Sequence, residues 1–266
     1  MQINFLRACL PLAGTALLGS CVTTYVPTVP STPLLNRGQV EITAGLRGIQ
    51  NAEVGAAWSP LPHVLLTGEV AAAISPQETT YTDPQGGTNT TYTDSHRQGG
   101  VGLGLYQTAP GRSYLALMGG IGWGHTNFFA QDDYAVASPF FPLPVPTRQG
   151  VYDARYRRYY GQVYLASPEA ERGPRFGASF RTVWLDYTHF TYADQPVIVP
   201  QTRVLVEPSV FVRFGRGALR YFATAGLSLP LTTNHANPYD KRVASQSYLF
   251  SGGIIFRPDL LKHRRK

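Results

Sequence analysis

The stretch ALRYFATAGLSLPL, Ala218–Leu231, decides the fold. Leu219, Tyr221, Ala223, Ala225, Leu227 and Leu229 occupy one set of alternate positions; Arg220, Thr224, Gly226 and Ser228 occupy the other. A helix would mix the two sets on every turn, whereas a strand sends successive side chains to opposite faces. The same period of two runs outward from this stretch in both directions. Downstream it recurs in SYLFSGGIIF (Ser247–Phe256). Upstream it recurs in RVLVEPSVFVRF, RFGASFRTVWLDY, SYLALMGGIGWG, GGVGLGLYQ, HVLLTGEVAAAI, NAEVGAAWSP and QVEITAGLRG, and it blurs only in RYYGQVYLAS, where tyrosine stands on both faces. About ten strands are predicted, and no window keeps a helical period.

The links between them alternate in length. SPLP, APGR, SPEAERG and GRG are short, while 75–95, 127–150, 186–201 and 232–245 are long and polar. Only the first hairpin, at Gly48-Ile49-Gln50, departs from the alternation. Composition agrees: 27 Gly, 13 Phe, 16 Tyr, 2 Met and 15% charged residues. A soluble β-sandwich also alternates, but its polar face meets water and carries more charge than this chain has. The reading is all-β, a closed antiparallel up-and-down transmembrane β-barrel over 39–256. Trp58, Phe176, Phe214, Tyr221 and Phe256 would girdle one rim, and Trp123, Trp184 and Tyr248 the other. In this pattern the chain resembles the broad family of small bacterial outer-membrane β-barrel proteins, the porin-like and outer-membrane-protein-A-like group. The resemblance covers Gln39–Phe256 and implies an outer-membrane location with periplasmic short turns and extracellular long loops. It also implies outer-membrane lipid, lipopolysaccharide and the barrel-insertion machinery as partners. The family ends on an aromatic residue, whereas here Phe256 is followed by the basic tail 257–266.

Ahead of the barrel, Met1–Arg7 is basic and Ala8–Leu18 apolar, too short for the roughly 20 residues of a transmembrane helix and suited to a secretory signal. LGSC (Leu18–Cys21) resembles the bacterial lipoprotein signal, which implies removal of 1–20 and acylation of Cys21. Cys9 would leave with the signal, so neither a disulfide nor a cysteine zinc site is expected. Residues 21–38, rich in Thr and Pro, read as an extended tether. With the anchor and the tail on one side, both termini are expected in the periplasm.

Little in the chain announces chemistry. Gly99–Gly104 superficially matches a dinucleotide loop but lacks the helix such a loop needs. The preferred reading is steric, with small inward residues leaving lumen space for long side chains. The six histidines form no metal-binding spacing, so no metal and no cofactor is expected. Asp186 and His189, with Asp83 and Asp132-Asp133 in other loops, raise an outer-membrane protease as a minor alternative, but two residues separate Asp186 from His189 where that family has one. The chain is expected not to be an enzyme. The net charge of +7 is dispersed apart from RYRRYY and KHRRK, which argues against nucleic acid.

Other stretches invite a role. The repeated TTYTD around PQGGTN reads as a hairpin above the barrel or, equally, as a polar loop. SPFFPLPVP (138–146) is an apolar loop, adhesive or lid-like. Arg155 and Arg157 face outward, at the level of lipopolysaccharide phosphates or in water above the rim. The inward positions carry Glu41, Arg47, Glu53, Glu69, Arg175, Arg181, Arg203, Glu207, Arg213 and Arg220. Sorted by height, Glu41 falls with Arg175, Arg213 and Arg220; Glu69 and Glu207 with Arg181; Glu53 with Arg47 and Arg203. Acids and arginines would meet over a filled lumen, giving a structural or interaction role. The alternative is a narrow pore or small-solute transporter with a hydrated lumen.

Overall fold

The computed structural model describes residues 24–48, 50–74, 78–82, 89–108, 113–132, 148–168, 173–197, 202–231 and 247–265. The strands are β1 Val40–Arg47, β2 Asn51–Trp58, β3 Val64–Ala73, β4 Glu78–Thr82, β5 Asn89–Thr93, β6 Ser95–Gln107 and β7 Tyr114–Asp132. They continue with β8 Arg148–Ala166, β9 Arg175–Tyr192, β10 Gln195–Pro196, β11 Thr202–Phe214, β12 Leu219–Pro230 and β13 Ser247–Phe256, followed by a 3-10 helix, Pro258–Arg265. Ten of these strands form one closed antiparallel barrel. Neighbours follow chain order, β8 pairs with β9, and the seam between β1 and β13 shuts the ring, with Ile42 opposite Phe256. β4 and β5 form a separate two-stranded sheet, so the TTYTD repeat is a hairpin but does not continue the wall.

The alternation read from the sequence sorts the side chains inside out. Leu117 is 64% exposed, whereas Arg158 and Glu207 are 0% exposed. Val54, Val70, Val101, Leu103, Leu105 and Val210 add to this apolar band around the outer wall. So large an exposed apolar surface is disfavoured in water and stable in hydrocarbon. The architecture is that of a closed β-barrel with a lipid-compatible outer wall. Trp58, Phe176, Phe214 and Tyr221 are exposed near the short-turn end, and Trp123, Trp184 and Tyr248 toward the long-loop end. Phe256 departs from the expected girdle and is only half exposed.

The wall is uneven. β1 and β2 have 8 residues each, while β7 and β8 have 19 and β9 has 18. A spanning strand needs about 9–11 residues, so β7–β9 rise well past the rim. Asn127–Asp132 and much of 186–201, expected as loop, are therefore strand. Their inward residues explain this: Phe128, Tyr152, Tyr156, Tyr187, Phe190 and Tyr192 form a buried aromatic core. A bulge between β8 and β9 at Arg155/Tyr156 makes Thr188 and His189 both face out and returns Phe190 to the inside. The apolar stretch 138–146, Asp83 and Asp133 lie outside the described residues.

Candidate functional site

The lumen is occupied, and by the chain itself. Residues 24–36, expected as a tether outside the barrel, are extended but run through its interior. At one end Thr24 Oγ1 bonds the Tyr187 hydroxyl (3.0 Å), toward the long-loop mouth. At the other, the Tyr114 hydroxyl donates to the Leu35 carbonyl (3.2 Å), near the short turns. At about 3.1 Å per residue for an extended proline-rich chain, Thr24–Leu35 covers about 34 Å, enough to cross the hydrocarbon layer. The first described residue and the C-terminal helix thus lie at opposite ends of the barrel.

The fit between segment and wall is chemical. Pro27, Pro30 and Pro33 recur every third residue, so the segment has more carbonyls than N–H groups and cannot pair them all with itself. The wall answers with donors. Gln98 Nε2 donates to the Val26 carbonyl (2.8 Å), Gln162 Nε2 to that of Ser31 (2.8 Å) and the Tyr164 hydroxyl to that of Pro33 (2.6 Å). Arg181 and Arg213 donate to the carbonyls of Thr28 and Thr32. Glu53 supplies the acceptor for the Val29 N–H (3.3 Å). Tyr25 donates to Glu207 (3.2 Å), and Arg158 Nη1 donates to the Thr28 hydroxyl (2.7 Å). Beside the segment, toward β1–β3, β11 and β12, a cavity of about 60 Å³ remains, room for about four waters.

The inward charges meet in pairs. Arg181 Nε donates to Glu207 (2.6 Å) from a directly opposite position on the neighbouring strand, and Arg47 meets Glu53 (3.2 Å) across the first hairpin. Two pairs reach across strands that do not adjoin: Arg213 on β11 with Glu41 on β1 (2.9 Å), and Arg158 on β8 with Glu69 on β3. Glu69 was expected beside Arg181; Arg158 was not on the expected roll. Alternation in RYRRYY signals it, since Arg155 and Arg157 outward put Arg158 inward. Its reach to Glu69 depends on glycine. A Cβ at Gly122 would stand 2.6 Å from Arg158 Nε, and one at Gly100 3.2 Å from Nη2. Gly102 and Gly120 likewise give room to Tyr160, and Gly124 to Tyr156. Arg175 instead donates to the Ser167 carbonyl (2.8 Å) and Arg220 to that of Gly217 (3.3 Å), both at short turns, while Arg203 is buried nearer the long-loop end.

Arg155 and Arg157 are exposed on the outer wall, as alternation requires. His189 lies 3.8 Å from Asp153. Among the described residues, no group of three His, Cys, Asp or Glu side chains could hold a metal ion. Cys21 lies outside them. Outside the spanning strands, burial pushes the Asp94 carboxyl up, partly offset by the Phe129 N–H it accepts. Burial also raises Asp259, but the hydrogen bond and charge of Arg257 outweigh it and hold that carboxyl below its ordinary value.

No family model matches the chain, and no curated protein matches it. Among solved structures it is similar to LpxR from Salmonella typhimurium, with a TM-score of 0.36 and 9% identity over 82% of this chain and 99% of that one. The expectation that this chain is not an enzyme does not stand, because a β-barrel fold is no argument against catalysis. At this similarity no activity, substrate or residue role passes to the present chain.

Proposed function

We propose that the protein is an outer-membrane barrel held shut by its own N-terminal segment, with a role at its long-loop surface and not as a conduit. The observation that carries this reading is the set of wall donors bound to the carbonyls of Val26, Thr28, Ser31, Thr32, Pro33 and Leu35. Removing those donors would leave buried carbonyls unsatisfied, at about 1–3 kcal/mol each, so the segment is held at many points at once. In this reading the long links face the exterior and the short turns the periplasm. Full-length protein in planar bilayers is expected to show no steady conductance, and Arg181→Ala or Glu69→Ala to leak. Steady conductance of the unmodified protein, altered by these replacements only in ion selectivity, overturns the closed reading in favour of the pore.

LGSC also supports a mature chain that begins at acylated Cys21. Three extended residues reach at most about 11 Å, so an anchor there would lie near the long-loop mouth and not at the periplasmic end. Mass spectrometry of the mature N-terminus tests the modification; an unmodified N-terminus at another residue overturns it.

A further inference from the structure

The outward face of β6–β9 carries an unbroken row of basic side chains at a single register level. Arg97 stands opposite His125, His125 opposite Arg155, and Arg155 opposite His189. With strands about 4.8 Å apart, the row covers about 14 Å of wall. The two guanidinium groups of the row, Arg97 and Arg155, stand two strands apart on one face and repel each other, so the row needs a counter-charge. Asp153 supplies part of it. Its Oδ2 accepts from His125 Nε2 at 3.0 Å, and its Oδ1 lies 3.9 Å from Arg155 Nε and 3.8 Å from His189 Nε2. One carboxylate cannot balance two guanidinium groups, and one register toward the apolar band the exposed Arg157 stands opposite Asp186.

Depth identifies what completes the balance. Trp123 precedes His125 by two residues on the same face, and Tyr159 and Trp184 lie one step further in, all exposed. Amphipathic aromatics of this kind sit at the membrane–water boundary. The row lies just beyond them, where lipid phosphates are.

We propose that Arg97, His125, Arg155 and His189 form a binding site for the phosphates of an anionic membrane lipid, oriented by Asp153. Arg97 and Arg155 are two strands apart, about 9.6 Å, a span that suits a headgroup bearing two phosphates. Guanidinium forks make charge-assisted, bidentate bonds to phosphate, which gives the two arginines the main share of the affinity.

The site rests on the membrane reading, and the test separates the two. Full-length protein is inserted in nanodiscs, and heat-modifiable gel mobility reports the folded barrel independently of lipid recognition. Binding of bis-phosphorylated lipid A is then measured by native mass spectrometry. The double variant Arg97→Gln/Arg155→Gln is expected to bind at least about tenfold more weakly, the loss of one charge-assisted contact. Lipid A stripped of phosphate is expected to bind both proteins alike, and millimolar inorganic phosphate not to displace the lipid. Should the double variant not fold, Arg155→Lys, which keeps the charge and loses the fork, is expected to weaken binding measurably. Equal binding by the folded variant, or by Arg155→Lys where that variant is the one used, overturns the proposal. Preference for the phosphate-free lipid, or displacement by inorganic phosphate, overturns it as well.

Discussion

At Gly122 an ideal Cβ would meet the Gly99 carbonyl and Arg158 Nε, both at 2.6 Å. Neither can be cleared cheaply, because one is backbone and the other belongs to a buried guanidinium. Gly122→Ala is therefore expected to break the Arg158–Glu69 pair and cost about 3–5 kcal/mol, the scale of a disrupted buried ion pair. Gly161 faces outward and has only ordinary contacts, with Trp184 at 3.9 Å; Gly161→Ala is the matched control and should change stability little. Urea titration with the folded fraction read by gel mobility compares the two. The glycine stripe was legible as room for larger side chains. Its occupants were not, because Tyr156, Arg158 and Tyr160 come from the next strand and lie over the glycines. Period two gives a residue's face, but the height at which Glu69 meets Arg158 depends on the register between four strands.

Elements follow the same logic. β7–β9 continue as strands past the rim because every second residue has an aromatic core to join. Their outward Asn127, Asp153 and His189 are polar enough to read as loop from composition alone. The alternation was legible along most of the barrel and blurred in RYYGQVYLAS, since one face meets lipid and the other the lumen, and a slip of one residue would exchange them. At the C-terminal end, Arg257 Nε and Nη2 grip Asp259 at 3.1 and 3.0 Å and fix the start of the last helix. The Asp259 carboxyl is depressed in the folded chain, so the tether it provides is present above the ordinary aspartate value of about 3.9 and fades as pH falls below it. Limited proteolysis of 258–265 should accelerate as pH drops through that range, and Asp259→Asn should show the acid behaviour already at neutral pH. Unchanged cleavage across the range would refute this.

For the whole molecule, the closed ring was readable and its occupant was not. The sequence of 24–36 is short of apolar period and rich in proline, which describes a solvated linker equally well. What draws it inside is a set of donors scattered over β6, β7, β8, β9 and β11, and no local window reveals that they converge. A protease site introduced at Arg37-Gly38 tests how firmly it is held: after folding and cleavage, the freed segment is expected to stay with the barrel until the barrel is unfolded. Prompt loss on cleavage would show that the covalent link alone retains it. One further property follows from the path of the backbone. The segment enters β1 directly, and β1 is half of the seam with β13, so the chain forms a lasso drawn through a loop made of its own strands. A bulky group ahead of Thr24 would be a stopper on that lasso. The loop then could not be slipped off; it could only be assembled around the thread, with the β1–β13 seam closing last, and undone by parting that same seam.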